Sequence, residues 1–168
     1  MRLLPAIAVA CVSLALAACS GTIEDGGDGS GVDAGPGGGG GGPEPMPGQT
    51  VDITGPAVLP HVQLFANAMC SATGACEVGT RVGHSPSAER AIDILTSDVY
   101  GKRPTDDNAL GDAVAEFTLA HMEQYGVTYL IWRQRYNDGS GWDPMDDRGS
   151  ITANHYDHVH VSFDATAP

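Results

Sequence analysis

Basic residues are scarce in this chain. Lys102 is the sole lysine, and 8 Lys plus Arg face 21 Asp plus Glu, for a formal net charge of −13. That balance excludes the electrostatic grip by which nucleic acid is held, and a polybasic hold on anionic lipid. It leaves neutral and cationic substrates open. A long apolar run is also missing. The stretch Leu3 to Ala18 is shorter than the roughly 20 residues a membrane-spanning helix needs. No internal repeat is visible, so no repeat array is read. Cysteine is sparse, at positions 11, 19, 70 and 76, and no second pair exists to complete a thiolate zinc site. Asp143, Asp146 and Asp147 lack the spacing of an EF-hand and are read as solvating a loop.

The N-terminus carries most of what apolar patterning there is. Arg2 precedes Leu3–Ala18, which ends in small residues, as an export signal does. The run Leu16-Ala17-Ala18-Cys19 resembles the bacterial lipobox. The resemblance implies cleavage before Cys19, acylation of its thiol and then of its freed amine. Several acyl chains exceed the roughly two signals needed for stable anchoring. Ser20 then favours the outer membrane, with the protein facing the periplasm or the cell surface. An ordinary secretory signal with an incidental Cys19 is the alternative. Residues 19–50 hold the run Gly37–Gly42 and prolines at 36, 43, 45 and 47. Such a segment cannot bury enough surface to offset its chain entropy. It is read as a tether with a reach of roughly 30 Å. Residues 51–168 remain as one domain, expected to act as a monomer.

Cys11 leaves with the signal and Cys19 takes the lipid. Cys70 and Cys76 are left, six positions apart in an exported chain, and are expected to form a disulfide. Closing so small a loop contributes roughly 2–3 kcal/mol.

Within the domain, Leu59–Ala72 has helical apolar spacing with Pro60 near its start. Glu77–Val82 and Arg90–Leu95 read as strands. Asp106, Asp107 or Asn108 is placed to cap a helix running to Tyr125 and stopped by Gly126. Val127–Arg133 is a strand, 136–154 a polar loop, and His158–Phe163 a terminal strand of strict alternation. The order predicts an α+β fold, a small, mostly antiparallel sheet with flanking helices.

The informative segment is His155-Tyr156-Asp157-His158-Val159-His160. On a strand, His158 and His160 share a face. Two neutral, unpartnered imidazoles bury poorly, and two charged ones repel. A metal ion relieves both problems. Upstream, Asp93 sits between Ile92 and Ile94 and would cost several kcal/mol if buried alone. His84, in a Gly/Ser/Pro loop, precedes it. His84, Asp93 and one terminal-strand histidine would supply three ligands and leave a fourth position open, as catalytic zinc does.

The pattern Arg … His … Ala-hydrophobic-Asp-hydrophobic … Asp-x-x-His, formed here by Arg81, His84, Ala91–Ile94 and Asp157–His160, resembles the zinc D-Ala-D-Ala metallopeptidases. That family includes peptidoglycan D,D-carboxypeptidases and L-alanyl-D-glutamate endopeptidases, with the Hedgehog/D,D-peptidase fold. Gly79–Phe163 is more similar still to secreted actinobacterial and fungal domains ending in Asn-His-x-Asp-His-Val-His-Val-Ser. The spacing from His84 to Asp93 is longer than those peptidases usually have. The resemblance implies His84, Asp93 and His160 as ligands of Zn2+, and Asp157 as the general base toward water. It implies Arg81 as the group that polarises the scissile carbonyl, and His158 as a residue lining the site. The expected substrate is a peptidoglycan peptide, and the expected activity its hydrolysis. A non-catalytic wall-binding or zinc-binding module on the same scaffold is the alternative. A third possibility is an acidic, metal-free adhesin-like domain with His155, His158 and His160 on its surface.

Overall fold

A computed structural model describes residues 50–104, 108–166 and 168, all within the unit Gly39–Pro168. The signal, Cys19 and most of the tether lie outside the described residues, as do Asp106 and Asp107. Among the described residues, no helix is long and apolar enough to cross a membrane.

The fold is α+β. Helix α1 (Pro60–Thr73) begins with Pro60, whose missing N–H costs nothing in a first turn, and ends at Gly74 in the left-handed conformation. Its buried stripe includes Val62, Phe65, Ala66 and Met69. The Cys70–Cys76 disulfide is formed and ties the end of α1 to the chain entering β2. Two helices, α2 (Ala109–Ala120) and α3 (Met122–Tyr125), stand where one was expected. The break is at His121, whose Nδ1 lies 2.7 Å from the Phe117 carbonyl while its ring stacks on Phe117. Asn108 occupies the position before α2 but makes no side-chain cap. Gly111 is required in α2 because any Cβ there would run into the Trp132 ring.

Seven strands form one sheet: β1 (Ile53–Thr54), β2 (Val78–Gly79), β3 (Ala91–Leu95), β4 (Val127–Trp132), β5 (Arg135–Asn137), β6 (Asp143–Pro144) and β7 (His158–Phe163). The order is β1-β2-β3-β7-β4-β5-β6, and every pairing except β1 with β2 is antiparallel. The predicted strands over 90–95, 127–133 and 158–163 are present; that over 77–82 is shorter.

The segment 136–154 is less irregular than its composition suggests, because β5 and β6 lie in it. The β4–β5 connection is a two-residue turn, with Arg133 and Gln134 both at positive φ (52° and 58°). Such turns favour Asn-Gly, so nothing local announces this one. Tertiary bonds hold it instead. Arg133 N–H donates to the His155 carbonyl (2.8 Å) and Gln134 N–H to the Asn154 carbonyl (2.7 Å).

Strand alternation divides the sheet into two faces. Ile92, Ile94, Leu130, Trp132, Val159, Val161 and Phe163 turn toward the helices and build the core with Phe65, Val114 and Phe117. The opposite face carries Asp93, His158, His160 and Ser162. Register aligns Asp93, His160, Ile131, Tyr136 and Asp143 in one row across β3, β7, β4, β5 and β6.

Candidate metal centre

That row starts at a buried cluster. Asp93 is 6% exposed, although its strand neighbours are isoleucines. Its Oδ1 lies 3.0 Å from His84 Nε2, 2.9 Å from His160 Nδ1 and 3.6 Å from His158 Nε2. Ligand atoms of His84, Asp93 and His160 all fall within 4.8 Å of one another, so the group can hold a metal ion.

Hydrogen bonds behind the rings determine which nitrogens face inward. The Thr80 hydroxyl donates to the Ala88 carbonyl (2.7 Å), so it can only accept from His84 Nδ1–H (3.2 Å). The Ser162 hydroxyl donates to the Ser85 carbonyl (3.1 Å), so it accepts from His160 Nε2–H (3.0 Å). Asp157 Oδ1 accepts from His158 Nδ1–H at 2.6 Å. In their neutral forms all three rings therefore aim a lone pair at one carboxylate oxygen. Acceptors facing acceptors are unstable in a buried site unless a cation lies among them. Burial pushes the His160 imidazole down, against the pull of Asp93, so a proton is a poor candidate for that cation. Burial alone would raise the Asp93 carboxyl, but bonds with His160 and His84 and the nearby His158 outweigh it and hold it well below the usual carboxylate range. Such outward bonds are what orient metal-binding histidines.

Asp157 sits behind this shell, fully buried. Its Oδ1 is taken by His158, and its Oδ2 accepts from Gly101 N–H (2.6 Å) and the Thr152 hydroxyl (2.6 Å). A general base acting directly must reach the attacking water, and Asp157 is fully buried behind His158. Both oxygens of Asp157 are engaged, and it reaches the cluster through His158. Arg81 stands at the rim. Together with Gly83, Tyr129, Arg148 and His155 it lines a cavity of about 550 Å³ over the cluster. A second cavity of about 490 Å³, bordered by Val78, Leu95 and Tyr100, shares Arg81, Asp93 and Thr152 with it. Among the described residues, neither the Arg81 nor the Arg148 guanidinium has a hydrogen bond or ion pair. Both are exposed, so two cations without a partner among the described residues stand beside the buried cluster of an acidic protein.

His155 was expected only as a surface residue of the metal-free alternative. It is held at φ 54°, its ring 4.8 Å from that of His158, and its buried Nδ1 has no partner. Burial, with the His158 and His160 rings, pushes it down to about 3. The unfolded chain binds that proton near pH 6.5. Stability due to a neutral His155 is therefore complete above about pH 6.5 and is lost as pH falls toward 3. Asp93, shifted down from a carboxylate value, withdraws its contribution only at lower pH. The metal-free protein is expected to lose on the order of 3 kcal/mol across the His155 window. Urea denaturation at stepped pH measures this, and His155→Gln should flatten the slope; an unchanged slope would rule His155 out as its source.

Comparison with known proteins comes to the same region. The family model described as VldE, C-terminal domain, matches residues 54–156. An "Uncharacterized secreted protein" of Arthroderma benhamiae is 37% identical over 59 residues, covering 30% of this chain and 24% of the fungal protein. The chain thus spans about a quarter of that relative's length. No solved structure matches.

Proposed function

The chain belongs to the VldE C-terminal-domain family, and on that premise we propose that it is a zinc-dependent hydrolase of peptidoglycan peptides. The observation that carries this reading is the convergence of three imidazole lone pairs on Asp93 Oδ1. Two imidazoles and one carboxylate, with room for a further ligand, suit zinc in a catalytic role. His84, Asp93 and His160 would hold it. When bound, zinc supplies a Lewis acid that polarises an amide carbonyl and makes water a better nucleophile at neutral pH.

The chain's own groups do the rest. Asp157 fixes His158 with Nδ1 protonated, so Nε2 is presented to the cleft and takes up a proton there. Arg81, unpaired at the rim, is placed to steady developing negative charge on the carbonyl oxygen. Arg148 attracts an acidic group of the peptide. A disulfide and a secreted relative support action outside the cytoplasm. Anchoring through Cys19 would keep the domain within reach of the wall.

A non-catalytic wall-binding module is the second reading, favoured by the engagement of both Asp157 oxygens. Mass spectrometry of the purified protein should find about one zinc per chain, and incubation with purified sacculi should release soluble muropeptides. Zinc with pelleting but no release would select the second reading. No zinc after reconstitution would overturn the hydrolytic reading.

A further inference from the structure

The row of side chains that begins at Asp93 continues beyond the cluster. Tyr129, opposite Ser162 and diagonal to that row, lies against His160 with ring planes 30° apart and centroids 5.8 Å apart. Tyr136 follows, 32° and 5.2 Å from Tyr129. Three rings, each tilted about 30° on the next and partly overlapping it, therefore run outward on the sheet face that carries the site, with Tyr136 as the outermost. Its outer end is polar. Asp143 is the register partner of Tyr136 across β5 and β6, so the two side chains share a face, and Asp143 is exposed. Asp138 follows two residues after Tyr136 and is exposed as well. Burial, then Asp138, Tyr129 and Asp143, push the Tyr136 phenol up, so at neutral pH it keeps its proton and can donate.

An aromatic face bordered by carboxylates suits a sugar ring. A pyranose ring offers an apolar face of C–H groups to stack on a ring, and equatorial hydroxyls that donate to carboxylates. Phosphate or another anion would be repelled by Asp138 and Asp143, and an aliphatic side chain would leave Asp143 unused, whereas Asp138 Oδ1 already accepts from the Ser140 amide and hydroxyl. We propose that Tyr136 and Tyr129 form a neutral-saccharide subsite continuous with the metal centre, so that the substrate is a peptide still attached to its glycan. The subsite itself needs no metal; only the link to hydrolysis rests on the function proposed above.

The test is titration of the purified protein with N,N′,N″-triacetylchitotriose, followed by NMR, with and without chelator. Binding is expected in both conditions. Tyr136→Ala should weaken it about tenfold or more, and Tyr136→Phe should stay within about threefold of wild type. Zinc content should be unchanged in both variants, showing that the fold and the cluster are intact. Absence of binding to the wild-type protein, or equal binding by Tyr136→Ala, would overturn the subsite. Sugar binding by a protein that holds no zinc would leave the subsite standing and overturn only the hydrolytic reading.

Discussion

Asp93→Asn is expected to lower zinc affinity by more than about 100-fold and to abolish peptide release from sacculi. Changes to residues that only orient the ligands typically cost about 10–100-fold in affinity, and this one removes a ligand's charge from the shared focus of three histidines. An amide in its place would offer one neutral oxygen, or an N–H₂ group that suits the inward lone pairs without any cation. Metal-free Asp93→Asn should therefore remain folded, which separates loss of the ion from loss of structure. The measurement is competition of the variant and wild type against a chromogenic zinc chelator, with circular dichroism as the control for folding. Affinity within threefold of wild type would mean that the ion, if bound, sits elsewhere.

Asp157→Asn should leave zinc bound and lower the rate of muropeptide release by roughly 10²–10⁴-fold. The reason is the tautomer of His158. An asparagine keeps one acceptor where the carboxylate had two, and those two serve His158 on one oxygen, Gly101 and Thr152 on the other. If the amide N–H₂ faces His158, Nδ1 must become the acceptor, and Nε2 carries the proton into the cleft. Exchanging the tautomer of a proton-transferring imidazole has costs of this size. If instead the N–H₂ faces Gly101 and Thr152, two buried donors lose their acceptor, at about 1–3 kcal/mol of stability. Thermal denaturation distinguishes the two orientations. Full turnover in this variant would show that neither Asp157 nor the His158 tautomer it sets takes part.

Much of this arrangement was legible in the sequence because it depends on alternation. His158 and His160 share a face, Asp93 interrupts an apolar strand, and the antiparallel register then sets Asp93 opposite His160. Ser162 could have been added by the same period of two, since it follows His160 on that face. Thr80 could not, because its role is fixed by a carbonyl eight residues on in a loop. The split between α2 and α3 was hidden as well, since His121 breaks the helix through its own bond to Phe117 rather than through a glycine or proline. The β4–β5 turn escaped for a related reason: its left-handed residues are an arginine and a glutamine, held by a distant loop. Trp142 lies on the helix side of the sheet, its ring beneath Arg135 and near Asp112 and Trp132.

That borrowed support ties two parts of the molecule into one cooperative unit. Arg133 and Gln134 donate their amides to the carbonyls of His155 and Asn154, and Met145 N–H donates to the Gln134 carbonyl. The turn has no glycine to relax its backbone, and the loop's own backbone bonds are those of turns. Opening one breaks the bonds that hold the other, so the amides of the edge hairpin and of the segment bearing His155 are expected to exchange with solvent together, which hydrogen exchange would test. The wall of the cleft and the aromatic strip would then loosen in the same event, which makes the hairpin a lever on the site although it contributes no ligand to it.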